Sequence, residues 1–306
     1  MASGSKKVII AALIGNSLIS ITKFFAASVT GSAAMLSEGI HSLVDTGNQI
    51  LLLYGLKRAA KPADANFPFG HGKEIYFWSF VVAILIFSVG AGISIYEGIN
   101  HIYHPSELHD PTINYIVLSI AILFEGAAFA FALKEFNKVR GRLGYIEAVR
   151  NGKDPALFVV LFEDFAALLG LFVALAGIYL AQITQDPFWD GMASVAIGMI
   201  LGLTAVWLAY ETKSLLIGES ANPEIVDSIK NIAGQYDGIE QVNEVLTLHM
   251  GPEFLLVNIS IDFRDDLPAG TVEQTIAAIT TDIKSAHPLA KKIFIEAEAA
   301  QSLEKN

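Results

Sequence analysis

The chain has 306 residues, 53% of them hydrophobic and 17% charged, with a formal net charge of −11 at pH 7. It contains no cysteine, which excludes disulfides and thiolate metal centres. The acid is concentrated late: residues 219–306 hold 15 Asp/Glu against 6 Lys/Arg, which argues against nucleic acid as a partner.

Six apolar runs follow one another, at residues 8–28, 33–56, 75–99, 112–133, 155–181 and 188–210. Each reaches the roughly 20 residues that a helix needs to cross a hydrocarbon core. The pattern predicts an all-α six-helix transmembrane domain over residues 1–215, followed by a small α+β cytoplasmic domain over residues 216–306. No small-residue cleavage pattern follows the first run, so no signal peptide is expected. Lys57, Arg58, Lys61 and Lys73 flank the second connection, and Lys134, Lys138, Arg140, Arg142, Arg150 and Lys153 the fourth. The other three connections have no Lys or Arg, so the positive-inside rule places both termini in the cytoplasm.

The first run holds one strong cation, Lys23, whose expected partner is Glu125 of the fourth run. The second run contains SEGIHSLVD, which puts Glu38, His41 and Asp45 at spacings of three and four on one helical face, with Asn48 continuing the stripe. Each such group costs about 2.5–3.5 kcal/mol at the centre of a span, so intramembrane ionisable residues are functional hypotheses by default. Two readings compete for this face: a metal site built from imidazole and carboxylate, and a polar seam that glues helices through a His–Asp hydrogen bond. The seam does not account for the fifth run, where Glu163 and Asp164 stand side by side in an otherwise apolar stretch. Adjacent carboxylates repel unless a cation lies between them and a partner. A divalent ion held between the second and fifth helices would offset that cost. Ligands without thiolate suit Zn, Fe, Co or Mn, and imidazole leans toward Zn or Fe.

Beyond residue 219 the chain changes character. Asn222 as N-cap and Pro223 at the first position begin a helix through Gln235. GIEQVNEVLTLHM and LLVNISIDF alternate as strands about a GPEF turn, residues 270–288 form an amphipathic helix stopped by Pro288, and KKIFIEAEA closes as a third strand. The order is α-β-β-α-β.

The HxxxD of the second helix (His41, Asp45), the loop PADANFPFGHGK at 62–73, the acidic fifth helix and the α-β-β-α-β tail together resemble the cation diffusion facilitators over residues 8–298. The resemblance implies homodimeric, proton-coupled exporters of divalent transition metals. Its transport site pairs two ligands on helix two with two on helix five. His41 and Asp45 match the first pair and Asp164 the second ligand of the other, but the remaining position is Val160, which cannot bind metal. That departure is similar to the branch containing the mitochondrial zinc transporter, and it leaves Glu163 or Glu38 to supply the fourth ligand. Asp164 is expected to face helix two, with Glu163 turned to another side of the bundle. The loop site of some members keeps Asp64 and His71 but has Phe67 between them; the alternative is a structural turn eased by Gly70 and Gly72. In the cytoplasmic domain Asn243, Asn258 and Glu296 stand where His is often found. His249 with Glu296 and Glu298 could form a weak site, or be a satisfied strand residue. Lys73 and Glu219 match a charge interlock between protomers, against the reading of two exposed charges worth little. His101, His104 and His109 of the outer-side connection at 100–112 gather or release metal, or are scattered exposed histidines. Glu97 carries no derivable role.

The function these observations imply is export of a divalent transition metal, zinc foremost, from the cytoplasm by metal/proton antiport across a bilayer, in a bacterial inner membrane. The metal is cargo, and no cofactor is expected. The rival is a metal-sensing or assembly protein whose transport route has decayed. An enzyme is not expected: HExxH is absent, and no Ser–His or Ser–Lys arrangement is evident.

Overall fold

A computed structural model describes residues 2–105 and 110–299. It divides into two compact units, one of residues up to Arg58 with Glu74–Lys213, the other of Ala59–Lys73 with residues from Ser214 onward. The 59–73 loop, placed by sequence in the first domain, therefore groups with the C-terminal unit.

The first unit is helical: α1 (Ala2–Thr30), α2 (Ala33–Ala59), α3 (Glu74–Tyr103), α4 (Thr112–Arg140), a short helix at Tyr145–Arg150, α5 (Pro155–Thr184) and most of α6 (Phe188–Ile217). Among the described residues five helices are long and apolar enough to cross a membrane: Val8–Thr30 within α1, and α3, α4, α5 and α6. The sequence reading gives six. The difference is α2, which has the length but also carries Glu38, Asp45, Lys57 and Arg58. α3 is not uniform, because residues Ile86–Ala91 form a π turn. Beyond that turn α3 lies close against α6. A Cβ on Gly98 would come within 2.7 Å of the Gly191 carbonyl oxygen, and one on Gly198 within 2.9 Å of the Ile95 nitrogen. Small residues that let backbones approach are the usual means of packing helices in lipid, where no hydrophobic effect drives them together.

The second unit has a three-stranded sheet of order β1-β2-β3. β1 (Ile239–Gly251) pairs antiparallel with β2 (Phe254–Phe263), and β2 pairs parallel with β3 (Ala290–Ala297). α7 (Pro223–Gly234) starts as expected, the Asn222 carbonyl accepting the N–H groups of Ile225 and Val226, although the Asn222 side chain makes no cap. α8 (Ala269–Ala286) ends before Pro288, with the His287 N–H donating to Ile283 O. Val257, Ile259 and Ile261 of β2 are buried with Ile229 of α7 and Ile279 and Ile283 of α8, and form the core. A parallel pair needs a crossover connection, and α8 provides it.

Candidate metal centre

α2 presents its polar residues inward. Glu38, His41, Asp45, Asn48 and Gln49 are all buried, while Leu43, Ile50 and Tyr54 on the other side are exposed. His41 Nδ1 lies 3.4 Å from Asp45 Oδ1, one turn away on the same face.

α5 meets this face through Glu163. Asn48 Nδ2 donates to Glu163 Oε1 at 2.6 Å, and the carboxyl of Asp45 lies within electrostatic range of that of Glu163. Gly170, seven residues on and therefore on the same side of α5, faces α2 as well: a Cβ there would lie 2.5 Å from Glu38 Oε1. This corrects the expected helix-five register. With the Glu163–Gly170 side against α2, Asp164 is rotated by about 100° around the axis. Asp164 stays buried, within electrostatic range of Asp45 and Glu125. Val160 is fully buried and brings no donor atom.

Glu38 is committed elsewhere. Lys23 Nζ of α1 donates to Glu38 Oε2 at 3.0 Å and to Ser42 Oγ at 2.8 Å, and lies 3.6 Å from Glu125 Oε1 of α4. Lys23, Glu38 and Glu125 are all withdrawn from solvent, so the buried cation ties three helices together. The sequence anticipates the Lys23–Glu125 approach but not the closer pair with Glu38, which a separation of 15 residues across two helices conceals.

Several atoms of this cluster have no hydrogen-bond partner: both ring nitrogens of His41, Asp45 Oδ1, Asn48 Oδ1, Glu163 Oε2 and Asp164 Oδ2. Each buried unsatisfied polar group costs about 1–3 kcal/mol, more when charged. An imidazole nitrogen with carboxylate oxygens is a donor set that suits a divalent transition metal. Among the described residues no three His, Asp or Glu side chains already enclose an ion, so binding a cation here requires the side chains to close on it.

The secondary candidates separate clearly. In the 59–73 loop His71 Nε2 and Asp64 Oδ2 are 2.9 Å apart, Asp64 Oδ1 accepts the N–H groups of Asn66 and Phe67, and the Phe67 ring packs on His71. The His71 hydrogen bond, with those backbone donors, holds the Asp64 carboxyl below its ordinary range. Gly70 has φ +84°, and a Cβ on Gly72 would collide with the Met250 carbonyl oxygen. These contacts are those of a braced turn. In the sheet, Asn243 Nδ2 donates to Ser260 Oγ and to the Glu298 carbonyl, and Ser260 Oγ donates to Glu298 Oε2. His249 lies opposite Leu255, whereas Glu296 lies opposite Ser260. Five strand positions, about 17 Å, separate those rungs, so His249 and Glu296 do not share a site. Asn258 sits mid-sheet between Leu246 and Phe294. Lys73 and Glu219 are both half-buried members of the C-terminal unit.

At the opposite end of the helices His101 is buried rather than exposed, its Nε2 3.6 Å from Asp190 Oδ2 at the start of α6. His104 is exposed, and His109 lies outside the described residues. Sequence reasoning passed over Asp190, although an acid in the first turn of a helix is an ordinary partner for the helix dipole and the one visible signal.

Residues 9–217 match the family described as the cation efflux transmembrane domain. The mitochondrial proton-coupled zinc antiporter SLC30A9 of Xenopus laevis is 34% identical over 263 residues, 85% of this chain and 47% of that protein. Its Homo sapiens counterpart is 32% identical over 262 residues. The manganese efflux system protein MneP of Bacillus subtilis is 24% identical over 289 residues, 92% of this chain and 91% of that protein. The chain thus spans about half the length of the zinc antiporters it matches (47% of the Xenopus laevis protein).

Proposed function

The chain belongs to the cation efflux transmembrane-domain family, and from that premise we propose that it exports a divalent transition-metal cation, zinc first, from the cytoplasm in exchange for protons. The observation that carries this reading is the set of buried atoms without a hydrogen-bond partner on His41 and Asp45 of α2 and on Glu163 and Asp164 of α5. The names of the SLC30A9 relatives support zinc and proton coupling, and that of MneP keeps manganese as the competitor.

In the proposed cycle His41, Asp45, Glu163 and Asp164 take the cation. Glu38 remains with Lys23, or joins the site when that pair opens. A metal requires a neutral imidazole and ionised carboxylates, so its arrival displaces protons from these side chains, and acid on the far side returns protons and releases the metal. Exchange then needs no separate proton carrier. α2 serves as the sixth span, its polar face turned to α1 and α5 and its Leu43, Ile50 and Tyr54 face to lipid. The protein works as a homodimer in a bacterial inner membrane, with both termini in the cytoplasm by the distribution of Lys and Arg.

Purified protein in proteoliposomes tests the reading with Zn, Fe, Co and Mn, with and without a pH gradient. Zinc flux that rises with an opposing proton gradient is expected. Asp45→Asn keeps the side-chain volume, removes the charge and should lower flux on the order of 100-fold. Wild-type flux from that variant would place the site elsewhere. A sensing or assembly role draws on one observation, the buried Val160 at a ligand position; such a protein would bind zinc in the same vesicles without moving it.

A further inference from the structure

The helix that carries His41 and Asp45 has no acid in its own first turn. Its N-terminus is completed from another helix. Ser32 Oγ accepts the Met35 N–H at 3.1 Å, in the manner of an ordinary N-cap. The same hydroxyl donates to Asp190 Oδ1 at 2.7 Å, and the Ala33 N–H donates to Asp190 Oδ2 at 2.6 Å. Asp190, in the first turn of α6, therefore supplies from a neighbouring helix the carboxylate that the first turn of α2 lacks. It satisfies an orphan N–H and sets a carboxylate against the positive end of the α2 dipole. All of this is buried: Asp190 is 4% exposed and Ser32 9%.

The carboxylate is itself held from outside, by His101 of α3. One turn further along, Ser37 Oγ of α2 lies 2.5 Å from Ser194 Oγ of α6, and Ser194 Oγ lies 2.8 Å from the Ser94 carbonyl of α3. α1 joins through the turn at Gly31, where Thr30 Oγ1 donates to Asn114 Oδ1 of α4. The N-terminal end of α2 is thus the point where the bundle fixes that helix in height and rotation. His41 lies about 12 Å along the helix axis from Ala33 and Asp45 about 18 Å. A helix is stiff over that length, so a shift at the cap arrives undiminished at the face opposite Glu163.

We infer that Asp190 is a positioning residue for the cation site: by capping α2 from α6 it sets where His41 and Asp45 stand relative to Glu163. The inference rests on the transport reading for its flux arm only.

The test uses the full chain. In proteoliposomes Asp190→Ala should raise the KM for zinc about tenfold while kcat changes less than about threefold. Asp190→Asn, which still accepts one N–H, should recover KM to within about threefold. Leu208→Ala, a buried change at the other end of α6, lowers thermal stability and should leave KM unchanged. In detergent or nanodiscs without zinc, amide exchange across residues 33–40 should be slow in the wild type and fast in Asp190→Ala. Should Asp190→Ala fail to fold, Ser32→Ala removes only the bridging hydroxyl and should raise KM and speed exchange in the same segment. Wild-type KM or undisturbed exchange in a folded capping variant overturns the inference. So does an equal rise in KM for Leu208→Ala, or Asn faring no better than Ala at position 190. If wild-type vesicles move no zinc, the transport reading fails, and the exchange arm still decides whether Asp190 holds α2.

Discussion

The polar residues of the two units are held in different ways. In the membrane-type unit His41, Asp45, Glu163 and Asp164 are buried where charge is most costly, and each keeps at least one atom without a partner. In the C-terminal unit Asn243, Ser260 and Glu298 spend their hydrogen bonds on one another, and His249 stands rungs away from Glu296. The first set keeps six buried atoms unpaired on five neighbouring residues once Asn48 is counted, whereas the second is paired within itself apart from Asn243 Oδ1. A cluster of buried unsatisfied atoms favours the proposed binding role, and mutual pairing favours a structural one.

The largest expected effect tests whether the first set survives only because a cation is already built beside it. Lys23→Met leaves Glu38 and Glu125 uncompensated and should destabilise the protein by about 3–5 kcal/mol. Adding Glu38→Gln should restore part of that in thermal unfolding. No loss in Lys23→Met would mean that the three side chains are not ionised together as drawn.

Next, Glu163→Gln and Asp164→Asn distinguish two neighbours that the helix turns apart. Glu163 accepts from Asn48 of α2, so its amide should weaken zinc binding about 30-fold, against about fivefold for Asp164. Calorimetry of the detergent-solubilised protein reads this, and the reverse order would restore the register expected from sequence.

In the C-terminal unit Asn243→Ala should cost about 1 kcal/mol of stability and leave zinc flux unchanged. Lost transport in a folded Asn243→Ala protein would erase the contrast between the two sets.

The smallest effect concerns the braced loop. Asp64 is held below its ordinary range, so its contribution to stability is fully present above the unfolded value near 3.9 and is lost as pH falls through the folded value. His71→Ala should accordingly loosen residues 59–73 to proteolysis at neutral pH, and differ least from wild type in acid. A difference that grew on acidification would assign the brace to other contacts.

Much of this was legible in the sequence, for a reason that differs by region. Charged residues in an apolar run are conspicuous, so Glu38, His41, Asp45, Glu163 and Asp164 could be found without coordinates. Alternation and proline likewise expose the strands and helix ends of the C-terminal unit. Adjacent carboxyls differ by about 100° of helix rotation, however, and the Asn48–Glu163 hydrogen bond with the packing of Gly170 against Glu38 shows which faces α2. His249 and Glu296 look like companions until strand register separates them. The partnership of Asp190 with Ser32 spans 158 residues and leaves no local pattern.

The π turn of α3 at Ile86–Ala91 divides that helix into two halves. A π turn fits one more residue into a stretch of helix than regular winding allows, which rotates everything beyond it by about 100° relative to a regular helix. Ahead of the turn, the Trp78 side chain packs where a Cβ on Gly55 of α2 would strike it; past the turn, Ser94, Gly98 and His101 are aligned on α6 and Asp190. A uniformly wound rod would serve one of these neighbours and miss the other. The surplus residue acts as a dial between two half-rods, and its setting lets one helix lean on the ligand-bearing rod below and grip the carboxylate that crowns it above.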